Sequence, residues 1–398
     1  MPFTLLLDLD DTLLHNDMDT FVPAYLQALS GFMAQHSPPE HFTQALLTAT
    51  QGMFQNTQPN RTLKETFDQV FYPALHLEEQ ALRAHIETFY QQVFPDLKRL
   101  TRPRAGVAAL MQHIQARGWR VVIATNPIFP RIAIRERLAW AGITANSLPI
   151  TSYEEYHFTK PHPAYYAEIL GRLGWPDAPI LMVGNDPDLD ILPAAQAGLP
   201  TWYVTETPEK APPDLPADGC GTLQNLLAFL QNTPLSALRG RFDTREAALA
   251  TLRATPAVLD YWRRHLPPEA WQFSLEEGSW SLTENVCHLR DSDMEVNLPR
   301  LQTALLEDNP FLPAVNADAW AQERNYRCQD GLEAVQHFTE IRMQLLSLLS
   351  ELSEPAWQRT VRHGIFGPTT LEELVRFMAA HDRTHLQTIF QLANHRLP

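Results

Sequence analysis

The chain of 398 residues carries a formal net charge of −15, and 44% of its residues are hydrophobic. This length predicts two or three domains, while the acidic balance disfavours a general binder of nucleic acid or of anionic membranes. Three cysteines are too few for a disulfide framework, and the sequence shows neither a signal peptide nor a membrane-spanning run, so we expect a cytoplasmic protein.

The first part of the chain, to about residue 230, alternates short apolar runs with helical patterns. The apolar runs predict five strands: Thr4–Leu9, Trp119–Asn126, Leu148–Thr151, Pro179–Asp186 and Thr201–Thr205. Helical periodicity predicts helices at Gly106–Arg117, Arg131–Ala141, Ala164–Leu173 and Ile191–Gly198, with one more in TLQNLLAFLQ. Strands that alternate with helices predict an α/β fold with a Rossmann-like parallel sheet. Such a sheet binds ligands beyond the carboxyl ends of its strands.

One interval after the first strand lacks this alternation. Residues 16–100 show only helical patterns, as in FVPAYLQALSGFMAQH. We therefore predict a helical cap inserted into the first domain, where it would exclude water and select the substrate. The core of that domain would be residues 1–15 and 101–230, and residues 231–241 would form a linker.

Acidic and polar residues occur where four of the segments of this first domain end. Asp8 and Asp10 follow the first strand and face the same way if the chain stays extended. One carboxylate can attack a phosphorus atom while the other moves a proton, and a divalent cation would offset their repulsion. Later segments add hydrogen-bond donors, a positive charge and two candidate metal ligands, namely Thr125, Asn126, Lys160, Asp186 and Asp190.

These four segments, in this order, resemble the motifs of the haloacid dehalogenase-like (HAD) hydrolase superfamily over residues 1–230. The resemblance implies that Asp8 is the nucleophile that forms an aspartyl-phosphate, and that Asp10 is the general acid/base. It also implies that Thr125, Asn126 and Lys160 hold the phosphoryl group. Mg²⁺ would be bound by Asp8, Asp10 and Asp186, with Asp190 in support. Asn185 stands directly before Asp186, which leaves open which of these two side chains meets the metal.

The first motif also bears on the reaction. Dehalogenases of this superfamily lack its second aspartate and need no metal, whereas this chain keeps Asp10 and Asp186. We therefore expect a Mg²⁺-dependent phosphoric monoester hydrolase that acts on a small phosphorylated metabolite. A mutase that uses the same groups remains an alternative, and nucleotides, sugar phosphates and phosphoglycolate-like acids are all open as substrates.

The second part of the chain, residues 242–398, shows no strand pattern. Four long helices are predicted, at Arg245–Leu266, Ser281–Leu306, Gly331–Leu352 and Thr370–Leu397. Their number and length indicate an all-α four-helix bundle.

Three histidines in these helices suggest a second metal site. His381 and His385 lie one helical turn apart, and His288 lies on the second predicted helix. The segments WSLTENVCHL and AAHDRTHLQ resemble the DinB-like family, in which histidines at these three places bind a divalent metal such as Zn²⁺ or Ni²⁺. Relatives of this kind include transferases that use a low-molecular-weight thiol.

The role of this second domain stays open between two alternatives. The bundle is either the main catalyst, as a thiol-dependent metal transferase, or it serves only ligand binding or homodimerisation. Glu284, Asp291 and Asp382 are candidates for orienting the histidines. Cys287, beside His288, is expected to be a packing residue because adjacent helical residues point about 100° apart.

Overall fold

The computed structural model describes residues 3–145 and 148–395. The chain divides into two compact units. The first holds the residues up to His162 together with Asp177–Gly240, and the second holds Pro163–Pro176 together with the residues from Arg241 onward. No helix among the described residues combines the length and the apolar character that crossing a membrane requires.

The chain up to residue 240 contains seven strands and nine helices within its described residues. In chain order they are β1 (Thr4–Leu7), β2 (Leu14–Asn16), α1 (Met18–Phe32), α2 (Pro39–Phe54), α3 (Leu63–Leu75), α4 (Glu79–Gln92), β3 (Thr101–Pro103), α5 (Val107–Arg117), β4 (Arg120–Ile123), α6 (Arg131–Trp140), α7 (Pro163–Arg172), β5 (Ile180–Gly184), α8 (Leu192–Gln196), β6 (Thr201–Val204), β7 (Gly219–Gly221) and α9 (Leu223–Asn232).

The core of the first unit is a parallel five-stranded sheet with the strand order β4-β1-β5-β6-β7. Every residue of β1 and β5 is buried, as the continuous apolar runs of central parallel strands require. This sheet confirms the predicted α/β fold. The predicted strand Leu148–Thr151 contributes only a single bridge, between Ile123 and Ile150, and β7 was not predicted because its sequence, GCG, contains no apolar run.

The helical cap consists of helices α1 to α4 and a 3₁₀ segment, Phe94–Leu100. Helix α3 begins with a capping box in which Thr62 and Glu65 each accept from the backbone N–H of the other. Strands β2 and β3 pair antiparallel at the two ends of the cap, so a short two-stranded ribbon ties the cap to the sheet. This ribbon was not predicted, because three-residue strands leave no periodic pattern.

The second unit contains the remaining helices and a small sheet. In chain order its elements after α9 are α10 (Arg245–His265), α11 (Leu282–Ser292), α12 (Leu298–Leu306), β8 (Phe311–Leu312), α13 (Trp320–Glu323), α14 (Gly331–Ser350), α15 (Glu354–Trp357), β9 (Thr360–His363), β10 (Gly367–Thr370) and α16 (Leu371–Asn394). Helix α7 belongs to this unit by its contacts with α10 and α16.

The four predicted helices are present, with two corrections. The second is divided by a π-helical turn, Asp293–Asn297, between α11 and α12, and the end predicted for the fourth, Leu397, lies outside the described residues. The expectation that this part contains no strand is wrong, because β8, β9 and β10 form a three-stranded sheet. These strands have only two to four residues, which is too short for an alternating pattern to be recognised.

Candidate functional site

A tight turn at the carboxyl end of β1 positions the first two acidic residues. The backbone N–H of Asp8 still donates to the carbonyl of Val183 in β5, at 3.0 Å. The chain then reverses, with Asp11 in the left-handed region at φ 52° and the N–H groups of Leu13 and Leu14 both donating to the carbonyl of Leu9. Asp8 and Asp10 therefore lie at the sheet edge where the parallel strands end.

Lys160 lies between two carboxylates at this edge. Its Nζ is 2.7 Å from Asp8 Oδ1 and 2.6 Å from Asp190 Oδ1, and all three side chains are buried. Burial, and then the charge of Asp8, raise the pKa of the Asp190 carboxyl to about 7, although Lys160 opposes this change. Lys160 thus holds a fixed positive charge directly beside the predicted nucleophile.

The second predicted motif is joined to the loop that carries Lys160. Asn126 Oδ1 accepts from the backbone N–H of Lys160 at 3.3 Å. Thr125 is buried, and its carbonyl accepts from Thr151 Oγ1 at 2.6 Å. The amide of Asn126 therefore positions the loop that carries Lys160. This role was not predicted for Asn126, which was expected to contact a phosphoryl group.

Asp10 is held by a different set of groups from Asp8. Asn16 Nδ2 donates to Asp10 Oδ1 at 3.0 Å, and the guanidinium of Arg137 forms an ion pair with the same oxygen. Arg137 is fully buried, with its guanidinium over the rings of Phe21 and Phe129. Burial lowers the pKa of Arg137 to about 10.

Arg137 was not predicted as a site residue, although the sequence contains a signal for it. Ala133, Ile134, Arg137 and Leu138 form the buried face of α6. A charged residue in the middle of such an apolar stripe is unusual, and this pattern could have identified it.

The polar side chains of the last motif, residues 184–190, form separate sets of hydrogen bonds. Asn185 Oδ1 accepts from Thr12 Oγ1 at 2.9 Å, which ties it to the turn after β1. Asp186 Oδ1 accepts from the N–H groups of Asp188 and Leu189, at 2.8 and 2.9 Å, and so caps the π-helical turn that follows. Asp190 points back to Lys160. The metal-binding role of Asp186 remains a prediction. Its Oδ1 already accepts the two hydrogen bonds of this cap.

These side chains suit a hard cation by their chemistry. The carboxylates of Asp8, Asp10, Asp186 and Asp190 and the side-chain oxygen of Asn185 place oxygen ligands at this edge, which is the ligand type that Mg²⁺ prefers. They are not gathered tightly: among the described residues, the one group of three or more potential ligands whose donor atoms all lie within 4.8 Å of one another is formed by histidines.

That group consists of the three predicted histidines of the second unit. His381 Nε2 lies 2.9 Å from His288 Nε2 and 3.2 Å from His385 Nε2. Ligands at ~2.05 Å from a tetrahedral Zn²⁺ are about 3.3 Å apart, so these distances fit nitrogens that share one cation. Burial, and next the charge of His381, lower the pKa of His288 to about 4 and that of His385 to about 2. Both imidazoles are therefore neutral near pH 7, as metal ligands must be.

The side chains around the histidines differ from those predicted. Asn285 Oδ1 lies 2.9 Å from His385 Nδ1, which turns Nε2 of that ring toward the other two histidines. The ring of Trp280 stacks at 6.0 Å from that of His385. Glu284 instead closes the capping box of α11 with Ser281.

The other candidates also contact groups outside the trio. Asp291 accepts from Arg290, Arg324 and Tyr326. Asp382 pairs with Arg342. Cys287 is buried and packs near Gln329 at 3.5 Å, as expected for a packing residue, and burial raises the pKa of its thiol to about 11.

Comparisons with known proteins give two family matches along the chain. Residues 4–198 match the family of haloacid dehalogenase-like hydrolases, and residues 222–389 match the DinB superfamily. A protein of Oceanobacillus iheyensis, provisionally named a metal-dependent hydrolase, is 26% identical over 123 residues, which are 31% of this chain and 70% of that protein. A second protein of that organism with the same type of name is 28% identical over 28% of this chain, and this chain spans 64% of its length.

Two groups of solved structures resemble the chain in fold. The 2-haloacid dehalogenase from Pseudomonas syringae pv. Tomato is 22% identical, covering 58% of this chain and 99% of its own, with a TM-score of 0.42. YfiT from Bacillus subtilis, described as an unusual four-helix bundle, is 20% identical, covering 39% of this chain and 89% of its own, with a TM-score of 0.36. By its two family matches, the chain contains a region similar to haloacid dehalogenase-like hydrolases and a region similar to the DinB superfamily, and the second region carries the three-histidine group.

Proposed function

We propose that the first unit is a Mg²⁺-dependent phosphatase that hydrolyses a small phosphate monoester through an aspartyl-phosphate on Asp8. The observation that carries this proposal is that two carboxylates at one sheet edge have different hydrogen-bond and ion-pair partners. Asp8 is fixed by Lys160, and Asp10 is fixed by Asn16 and Arg137. A nucleophile and a separate acid/base require two carboxyl groups in different environments, whereas displacement of a halide needs only the nucleophile.

The proposed reaction has two steps. Asp8 attacks the phosphorus, the ester P–O bond breaks, and Asp10 donates its proton to the departing alkoxide. A water molecule then attacks the phosphorus of the aspartyl-phosphate and Asp10 takes up its proton. The bond between the phosphorus and the Asp8 oxygen breaks, which releases inorganic phosphate and restores the Asp8 carboxylate. Lys160 offsets the negative charge beside Asp8 throughout. Mg²⁺, when bound by the oxygen ligands around Asp8, would supply charge stabilisation for the phosphoryl oxygens.

The test uses p-nitrophenyl phosphate with and without Mg²⁺. Asp8→Asn should abolish turnover, because an amide cannot form the phosphorylated intermediate. Asp188→Asn serves as the control, since Asp188 is an exposed acid in the π-helical turn of the last motif. Turnover retained in Asp8→Asn would refute the assigned nucleophile, and halide release from 2-chloropropionate in place of ester hydrolysis would favour a dehalogenase.

We propose for the second unit a divalent metal, Zn²⁺ or Ni²⁺, held by His288, His381 and His385. A cavity of about 310 Å³ beside His288 and His381 supports a catalytic rather than a closed structural site. Arg300 and His363 also line it. A low-molecular-weight thiol is the proposed ligand, because a metal lowers the pKa of a coordinated thiol and yields a thiolate.

Metal analysis tests the premise of this second proposal. Loss of bound metal in the double variant His381→Ala/His385→Ala, with metal retained in the exposed control His337→Ala, would support the site. Equal metal content in all three proteins would refute it. Metal retained without activity on a panel of thiols, in a protein that is dimeric by light scattering, would favour a role in ligand binding or homodimerisation.

A further inference from the structure

An apolar cavity lies inside the cap of the first unit. Its volume is about 140 Å³, and it is lined by side chains of all four cap helices and of the segment that follows Asn126. Tyr25, Phe42, Phe67 and Phe71 are four of the eight aromatic residues that line it. Two further lining residues, Met18 and Leu47, are 38% and 46% exposed, so the cavity is reached from solvent rather than sealed.

Shared residues connect this cavity to the side of the active site that holds Asp10. Met18 lines the cavity, and its Sδ accepts from Asn16 Nδ2 at 3.3 Å, while the same amide group donates to Asp10. Phe129 lines the cavity as well, and its ring lies under the guanidinium of Arg137, the ion-pair partner of Asp10. Met18 and Phe129 therefore link the cavity to Asn16 and Arg137, the two residues that hold the proposed acid/base Asp10.

The walls of the cavity select against polar and anionic groups. None of the described residues that line it is charged, so a second phosphate or a carboxylate would find no counter-charge there. Two of its phenols, Tyr25 and Tyr90, are hydrogen-bonded to each other at 2.9 Å. Burial raises the pKa of Tyr25 to about 12, so this phenol stays neutral. A sugar or a nucleotide would need many more hydrogen-bonding groups than this surface offers.

We propose, building on the phosphatase function above, that this cavity receives the leaving group and that the substrate is a phosphate monoester of an aromatic or alicyclic alcohol. The size agrees, because an apolar cavity of about 150 Å³ holds one benzene molecule. The reaction is the one already described: the ester P–O bond breaks, Asp10 protonates the oxygen, and the neutral alcohol leaves with its ring in the cavity.

The experiment compares two esters that both release a primary alcohol, benzyl phosphate and glycerol 1-phosphate, so their intrinsic reactivities are similar. Burying one aromatic ring should favour benzyl phosphate by about 10- to 100-fold in kcat/KM. The ratio of the two kcat/KM values is the quantity measured, with Mg²⁺ present and with p-nitrophenyl phosphate as a general substrate.

Two variants of Leu46 test whether the cavity causes this preference. Leu46→Trp fills the cavity, and Leu46→Gln places an amide in it at nearly constant volume, so the second remains informative if the first does not fold. Both should lower the ratio at least 10-fold, chiefly through a higher KM for benzyl phosphate. Gln44→Trp is the matched control, because Gln44 is an exposed residue of the same helix that does not line the cavity.

The outcomes separate this inference from the function on which it rests. Equal kcat/KM for the two esters, or a preference that both Leu46 variants retain, would overturn the inference while hydrolysis of p-nitrophenyl phosphate would still support the phosphatase. Failure to hydrolyse any of the three esters would overturn the phosphatase function itself.

Discussion

Replacement of Arg342 by methionine tests how the second unit holds its histidines. The guanidinium is completely buried. Its Nε donates to Asp293 Oδ2 at 2.6 Å and its Nη1 to Asp382 Oδ2 at 2.5 Å. A further bond of 3.0 Å runs from Nη1 to the carbonyl of Leu252. Asp293 opens the π-helical turn that directly follows α11, and Asp382 is the neighbour of His381 in α16, so Arg342 connects α14 to α10 and to both helices that carry histidines.

The expected cost is large because Arg342→Met leaves two buried carboxylates without a counter-charge. Removal of one partner from a buried ion pair costs about 3–5 kcal/mol, and domains are stable by only about 5–15 kcal/mol. The opening equilibrium of the bundle should therefore rise by about 10²- to 10⁴-fold. The triple variant Arg342→Met/Asp293→Asn/Asp382→Asn removes all three charges together and should recover much of this loss.

Amide hydrogen exchange is the suitable assay, because it reports on α14 and α16 separately from the first unit. Exchange in these helices should accelerate in Arg342→Met, and Zn²⁺ binding should weaken in parallel. The control is Arg327→Met, at an exposed arginine of the same unit, for which a change within about 0.5 kcal/mol is expected. Exchange rates in Arg342→Met that equal those of this control would refute the reasoning.

Three more predictions address the two sites. Gly184→Ala should reduce phosphatase kcat by at least about 100-fold without unfolding the protein, because the added Cβ would lie 2.3–2.4 Å from atoms of Asp190. Gly31→Ala is the control, since no atom lies within 4 Å of its added Cβ. Full activity in Gly184→Ala would contradict the prediction. Asn285→Ala should weaken Zn²⁺ affinity about 10- to 100-fold, measured by chelator competition, because it releases the ring of His385; an unchanged affinity would show that the ring is oriented by other contacts. Removal of metal by EDTA should abolish hydrolysis of p-nitrophenyl phosphate and Mg²⁺ should restore it, whereas hydrolysis that persists after exhaustive chelation would exclude a metal-dependent mechanism.

Much of the fold was predictable because its signals are long or repeated. β1 and β5 are continuous apolar runs, and α16 starts where it was predicted, with Thr370 as its N-cap. The strands that were missed, such as β2, have two to four residues, and what forms them is pairing with distant segments rather than a local pattern. Helix α7 likewise belongs to the second unit because it packs on α10 and α16, which are distant from it in sequence.

The site residues divide along the same line. Asp8, Lys160 and Asp190 were identified by their place at strand ends, and the structure joins them through Lys160. The choice between Asn185 and Asp186 depends on a difference of one residue within a loop. The two side chains differ in their hydrogen bonds, because Asp186 caps the following turn while Asn185 contacts the turn after β1, and which of them binds the metal stays a prediction. No motif could have supplied this distinction, since both residue types can cap a helix or bind a cation.

Two buried arginines show what motif analysis omits in each unit. Arg137 pairs with the proposed acid/base Asp10, and Arg342 pairs with the aspartate that adjoins His381. Each lies on the buried face of a helix, among residues that pack into the core. A buried guanidinium is tolerated only when carboxylates compensate it, so each arginine and its acidic partners are mutually required. Each candidate site therefore depends on a buried arginine as well as on the side chains proposed to react or to bind metal, because the arginine holds the acidic residues of the site from within the core.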